Sequence, residues 1–197
     1  MRVFIFILSV AALAIGLINQ QIFAEGTYIN AGVVVFKSGD AQITRADKSI
    51  KQTFKDDVLQ QGDTIETKHG RLQFELSDGS QISLQPNTVY ALEKYSYAAK
   101  QGGQSNFIAH LQKGGLRTQT GAICQQNPKS CQLRTQFGNI NSQKAEFTVM
   151  YDAGLKLVAN SGHVDVCNAS GCLSASTGQT IKVKAANKPP QLASLDL

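Results

Sequence analysis

A chain of 197 residues, 42% hydrophobic and 17% charged, is long enough to bury one sizeable core. Its net charge of +5 is scattered, with no lysine–arginine cluster, which argues against a nucleic-acid binder, since such proteins gather charge into a patch or stripe. With no tryptophan and 7% aromatic residues, a sugar-binding surface of stacked tryptophans is also disfavoured.

The chain opens on MRVFIFILSVAALAIGLINQQIFA. Arg2 precedes an apolar run from Val3 to Ile18, and Ala24 offers a small residue for cleavage. Residues 1–24 therefore read as a secretory signal peptide. The run falls short of the ~20 residues that span a bilayer, so a retained membrane anchor is the alternative. No cysteine follows it to take a lipid. Residues 25–184 are expected to form one β domain and residues 185–197 a loose tail containing Pro189-Pro190.

After Gly26 the strand signals dominate: GVVVF, AQITR, RLQFEL, QISL, EFTVMY, LKLVA and HVDV are short, β-branched or aromatic, and often alternating. No stretch holds a 3.6-residue period over three turns. The predicted fold class is all-β, an elongated β-roll or sandwich of short antiparallel strands and hairpins. A loose unit recurs, a glycine feeding a half-buried strand, at Gly39, Gly70, Gly114-Gly115 and Gly162. Its uneven spacing excludes a true repeat array. Ser96–Ser105 reads as a flexible connection.

The stretch LSDGSQISLQPNT, Leu76–Thr88, joins two alternating runs. A two-residue turn at Asp78-Gly79 would set every core residue against a polar partner, because a one-residue slip flips all side chains. Pairing Leu76 with Ile82 and Phe74 with Leu84 avoids this. It places Asp78, Gly79 and Ser80 at the centre of an odd-length loop, with Gly79 in the left-handed region. Pro86, unable to donate to a ladder, is expected to end it before Asn87.

All four cysteines, Cys124, Cys131, Cys167 and Cys172, lie in the exported part and read as disulfides of an oxidising compartment. Three connectivities exist, and the spacing favours the local pairs 124–131 and 167–172. Opposing Cys167 with Cys172 pairs Val166 with Leu173 and Val164 with Ala175, so the apolar residues share one face. A four-cysteine zinc site is the competing reading, although zinc pairs are usually closer in sequence. The three histidines, His69, His110 and His163, read as surface or turn residues. No nucleophile elbow, zincin, Walker, Rossmann or EF-hand motif is present, so no catalytic, metal or cofactor residues are assigned and an enzyme is not expected.

Gly39-Asp40-Ala41 with Ile43 and Arg45, then Gly62-Asp63-Thr64-Ile65 with Thr67, then Asp78-Gly79-Ser80, Ile82, Leu84 and Pro86-Asn87-Thr88 resemble the FecR domain family. Gly114-Gly115-Leu116, Arg134-Thr135, Glu146–Val149 and the closing Gly178-Gln179 look like its later turns and strands. Gln136 and Lys144-Ala145 depart from its pattern. The resemblance implies an exported β-rich module, periplasmic or secreted, that is not an enzyme. In the family's best-known members the domain lies behind one membrane span and relays a receptor signal to a cytoplasmic sigma-regulating segment. With only Met1 and Arg2 before the apolar run, no such segment is expected here. The expected function is a binding module of the cell envelope contributing to signalling, with a protein or envelope polymer as partner. No nucleic acid is expected as partner, and a membrane only if the leader is retained. A structural subunit of a surface assembly or adhesin is the alternative.

Overall fold

The computed structural model describes residues 29–98, 104–151 and 153–193. The signal segment 1–24, the middle of the Ser96–Ser105 connection and the last four residues lie outside the described residues. The strands are β1 (Asn30–Ser38), β2 (Ala41–Thr44), β3 (Ile50–Gln52), β4 (Val58–Gln60), β5 (Thr64–Thr67), β6 (Arg71–Leu76), β7 (Gln81–Leu84), β8 (Thr88–Ser96), β9 (Asn106–Lys113) and β10 (Gly115–Gln119). A short helix, α1 (Ala122–Gln126), and a 3-10 turn at Pro128–Ser130 follow. Then come β11 (Cys131–Thr135), β12 (Gly138–Ser142), β13 (Glu146–Tyr151), β14 (Leu155–Ser161), β15 (His163–Asn168), β16 (Gly171–Ser176), β17 (Thr180–Val183) and β18 (Gln191–Leu192).

Two nine-stranded sheets result. Sheet I has the order β18-β17-β14-β13-β10-β7-β6-β1-β4 and sheet II the order β16-β15-β12-β11-β9-β8-β5-β2-β3. The all-β sandwich expected from the alternating runs is the observed fold. One pair, β9 with β11, is parallel, and the other pairings are antiparallel. The chain passes repeatedly from one sheet to the other, so each hairpin of one sheet is followed by strands of its opposite. The recurring glycine unit marks such passages: Gly39 leads from sheet I to II, Gly70 from II to I, Gly114 from II to I, and Gly162 from I to II.

Period-two patterning explains the layers. β6 alternates strictly, with Leu72, Phe74 and Leu76 buried and Arg71, Gln73 and Glu75 exposed. A single apolar cluster fills the space between the sheets, from Ala31 and Val34 through Tyr90, Leu92 and Leu111 to Val164 and Val183.

The Cys167–Cys172 hairpin has the register predicted, with Val166 against Leu173 and Val164 against Ala175. The Leu76–Ile82 pairing needs correction. Phe74 faces Ile82 and Leu72 faces Leu84, a slip of two residues that keeps every side chain on its expected face. The loop is tighter than expected: the Leu76 amide donates to Ser80 O and the Gly79 amide to Leu76 O, with Gly79 at φ +80°. Within the expected tail, Gln191 and Leu192 pair with Lys182 and Ile181 as the edge of sheet I.

Candidate functional site: the outer face of sheet I

The residues singled out by motif turn inward or sit at corners. Asp78 is buried. Its carboxylate accepts from Ser80 N at 3.1 Å, Ser80 Oγ at 3.0 Å and, from the first turn of α1, Ile123 N at 3.2 Å. The Asp78 carbonyl accepts from Ala122 N at 2.8 Å, and the Gly121 amide donates to Ser80 Oγ at 2.9 Å. The Tyr95 hydroxyl accepts from the Asp78 amide at 2.9 Å. Asp-Gly-Ser is thus the socket of α1, whose Cys124 is bonded to Cys131.

The Pro86-Asn87-Thr88 corner is closed from the other side. Asn87 adopts φ +57° and its amide donates to Lys68 O. Thr88 Oγ1 donates to Gly115 O at 2.9 Å and accepts from Gly115 N at 3.0 Å, locking the Gly114-Gly115 turn against β8. Thr67 Oγ1 donates to Gln85 O and accepts from Thr88 N. At Gly62-Asp63, the buried Asp63 carboxylate takes the Arg45 guanidinium at 2.6 Å and the Gln60 amide at 2.8 Å. Burial holds this carboxyl above the usual carboxylate range, against the pull of the Gln60 amide and Arg45.

The second disulfide, Cys167–Cys172, staples β15 to β16. With both pairs bonded, no free cysteine is left for a four-cysteine zinc site. The histidines stay apart. His69 is exposed in the turn before β6. His110 lies on β9 with Nδ1 3.4 Å from Glu93, and His163 opens β15 with Nδ1 3.1 Å from Ser176 Oγ. Among the described residues no group of three or more metal-ligating side chains converges.

What the fold does assemble is the opposite side of those same strands. The outward residues of β6, β7, β10 and β13 line a concavity of about 560 Å³ with Val35 of β1. Arg71, Gln73 and Glu75 come from β6, Gln81 and Ser83 from β7, Arg117 and Gln119 from β10, and Glu146 from β13. The register places Gln73 beside Ser83, Ser83 beside Arg117, and Gln119 between Gln81 and Glu146. Arg117 and Glu146 form an ion pair across the floor. The surface is amide-rich and charge-balanced, with Arg71 and Arg117 against Glu75 and Glu146. Sequence reading passed over these residues. Their signal is the polar half of the alternation whose apolar half located the core.

The family model described as FecR protein matches residues 63–165, just over half of the chain. The chain belongs to the FecR family. The resemblance read from Gly62-Asp63 and Asp78-Gly79-Ser80 is therefore correct. Two crystal structures, each of a candidate anti-sigma factor from Parabacteroides distasonis, are similar at 17% and 15% identity, with TM-scores of 0.49 and 0.50. Each match covers 66% of this FecR-family chain and 59% or 57% of the solved one, under two thirds of its length. The second of them supports a shared fold. No curated protein matches the chain.

Proposed function

We propose that this FecR-family chain is an exported, non-catalytic module of the cell envelope. It binds a protein partner across the outer face of sheet I and thereby contributes to envelope signalling. The observation that carries this reading is the 560 Å³ polar concavity, built by four adjacent strands inside the family-matched region. Rigid strands hold its amides in fixed positions, as a recognition surface requires. The description of the two Parabacteroides distasonis proteins as candidate anti-sigma factors accords with a regulatory contact. The two disulfides accord with a periplasmic or secreted location, where such bonds persist.

The test is a photo-crosslinking residue placed at Ser83, in the middle of the concavity, and at Ser174, on the outer side of β16 in sheet II. In the envelope of an export-competent host, Ser83 is expected to give one discrete adduct, identified by mass spectrometry, and Ser174 none. Equal adducts from both positions, or none from Ser83, would overturn the assignment of this face.

A further inference from the structure

Like charges directly opposite on neighbouring strands destabilise a sheet unless something neutralises them. β14 and β17 set Lys156 directly opposite Lys182 on the outer face of sheet I. Ile181 and Val183 are buried and Lys182 is exposed on that face, while Lys184 is exposed in the bend that follows β17. The three lysines line a notch of about 280 Å³ together with Ala153, Leu155 and Val183. Beside it Gly154, at φ +133°, packs so close that a Cβ there would lie 2.5 Å from the Val183 carbonyl oxygen. This site shares no lining residue with the polar concavity and lies on the next two strands of the sheet, β14 and β17.

Nothing among the described residues neutralises the corner. None of the three lysines belongs to an ion pair, and Glu146, on the neighbouring β13, is held by Arg117. β18 leads away from it, with Ala193 N donating to Thr180 O. Asp152, Asp196 and the terminal carboxylate lie outside the described residues.

We propose that the notch binds a phosphate group carried by an envelope component. Lysine is a compact point charge with three rotatable donors, suited to a tetrahedral oxyanion approached from several sides. A phosphate monoester brings close to two negative charges and three acceptor oxygens, one for each ammonium.

The mature protein is titrated with inorganic phosphate against chloride at matched ionic strength, following the backbone amides of Lys156, Lys182 and Lys184 by NMR. A second arm sediments it with phosphatidylcholine vesicles, with and without phosphatidic acid. Expected is a saturable response confined to these amides, weakened at least tenfold in Lys182→Gln. Lys182→Glu controls for folding: it turns the like-charge pair into an opposite-charge pair, so it is expected to raise Tm in phosphate-free buffer while binding is lost. Binding in both arms assigns a general phosphate site, and binding only to phosphatidic acid vesicles assigns a lipid phosphate. No saturable response in either arm, or binding unchanged in Lys182→Glu, would overturn the proposal.

Discussion

Tyr90 packs its ring 5.7 Å from that of Phe74 and is 1% exposed, yet its hydroxyl meets no hydrogen-bond partner. Burial pushes the phenol far above its ordinary pKa, so it stays neutral, and the unmet hydroxyl is a cost the fold carries. Tyr90→Phe removes that cost, and urea unfolding is expected to show a gain of about 1 kcal/mol at unchanged m-value. Tyr95→Phe has the opposite sign, because its hydroxyl is the acceptor for the buried Asp78 amide; a loss of about 1–2 kcal/mol is expected. A loss in the first variant would mean that the Tyr90 hydroxyl has a partner after all. Asp63 gives a pH-dependent case. Its carboxyl stands above the ordinary 3.8 because it is buried, so the folded state holds the proton more tightly than the unfolded chain. The group's contribution is fully present below 3.8 and is lost as the pH rises through the folded value. Arg45→Met leaves the ionised carboxylate without its cation and is expected to cost about 3 kcal/mol at neutral pH. The deficit should shrink as the pH is lowered towards 4, since the carboxyl then takes a proton. Paired urea melts of both proteins across that range check this; a deficit that grows on acidification would be the wrong sign.

α1 shows how far a five-residue helix depends on what it docks against. It is too short to be stable by itself, and its anchors are the Asp78 carboxylate and carbonyl, the Ser80 hydroxyl and the Cys124–Cys131 bond. Asp78→Ala strands the Ser80 and Ile123 amides in a buried site and is expected to cost about 3 kcal/mol. It should also open the Cys124–Cys131 bond, now buried, to mild reductant, read as two thiols released while Asp78→Asn releases fewer. Equal protection of the bond in both variants would mean that Asp78 does not hold the helix. These contacts also explain what the sequence could and could not reveal. Alternation was enough to locate β6, β7, β13, β14 and β15, and it set the Val164–Ala175 register because the cysteines pinned it. At Leu76–Ser80 it fixed only the parity of the pairing. The remaining two-residue choice is made by Gly121, Ile123 and Tyr95, which bond Asp78 or Ser80 from 17 to 45 positions away. The helix was illegible because AICQQ is shorter than the window in which a 3.6-residue period emerges. The glycine unit was visible, but its meaning as a passage between sheets needs the second sheet. The polar concavity was overlooked for a related reason: Gln73, Gln81, Ser83 and Gln119 look like ordinary solvent-facing positions until three adjacent strands bring them side by side.

At the scale of the whole molecule the two sheets cannot be separated along the chain. A boundary near Gln101 is the one place where composition hints at a division, but the pairing ignores it. β7 takes β10 as its outer neighbour, β8 takes β9, and β9 takes β11 in parallel. One apolar cluster runs through both halves, and Thr88 of the first half bonds both polar groups of Gly115 in the second. A chain ending at Tyr97 therefore retains β1–β8 but exposes an open edge on each sheet, at β7 and at β8. It also loses Leu111, Leu116, Phe147 and Val149 from the far part of the core. Exposed edges of this length pair with other chains rather than stay solvated, and the remaining core is smaller than the one the full chain buries. Such a fragment is expected to lack dispersed amide resonances and to show no cooperative melt. A nick introduced within residues 99–103 of the folded chain should leave both pieces associated and native, because no described pairing passes through that connection. A cooperatively folded fragment ending at Tyr97 would instead mean two domains. The polar concavity, whose walls come from both sides of that connection, would then be an interface between them, and the crosslink from Ser83 would have to be sought with both pieces present.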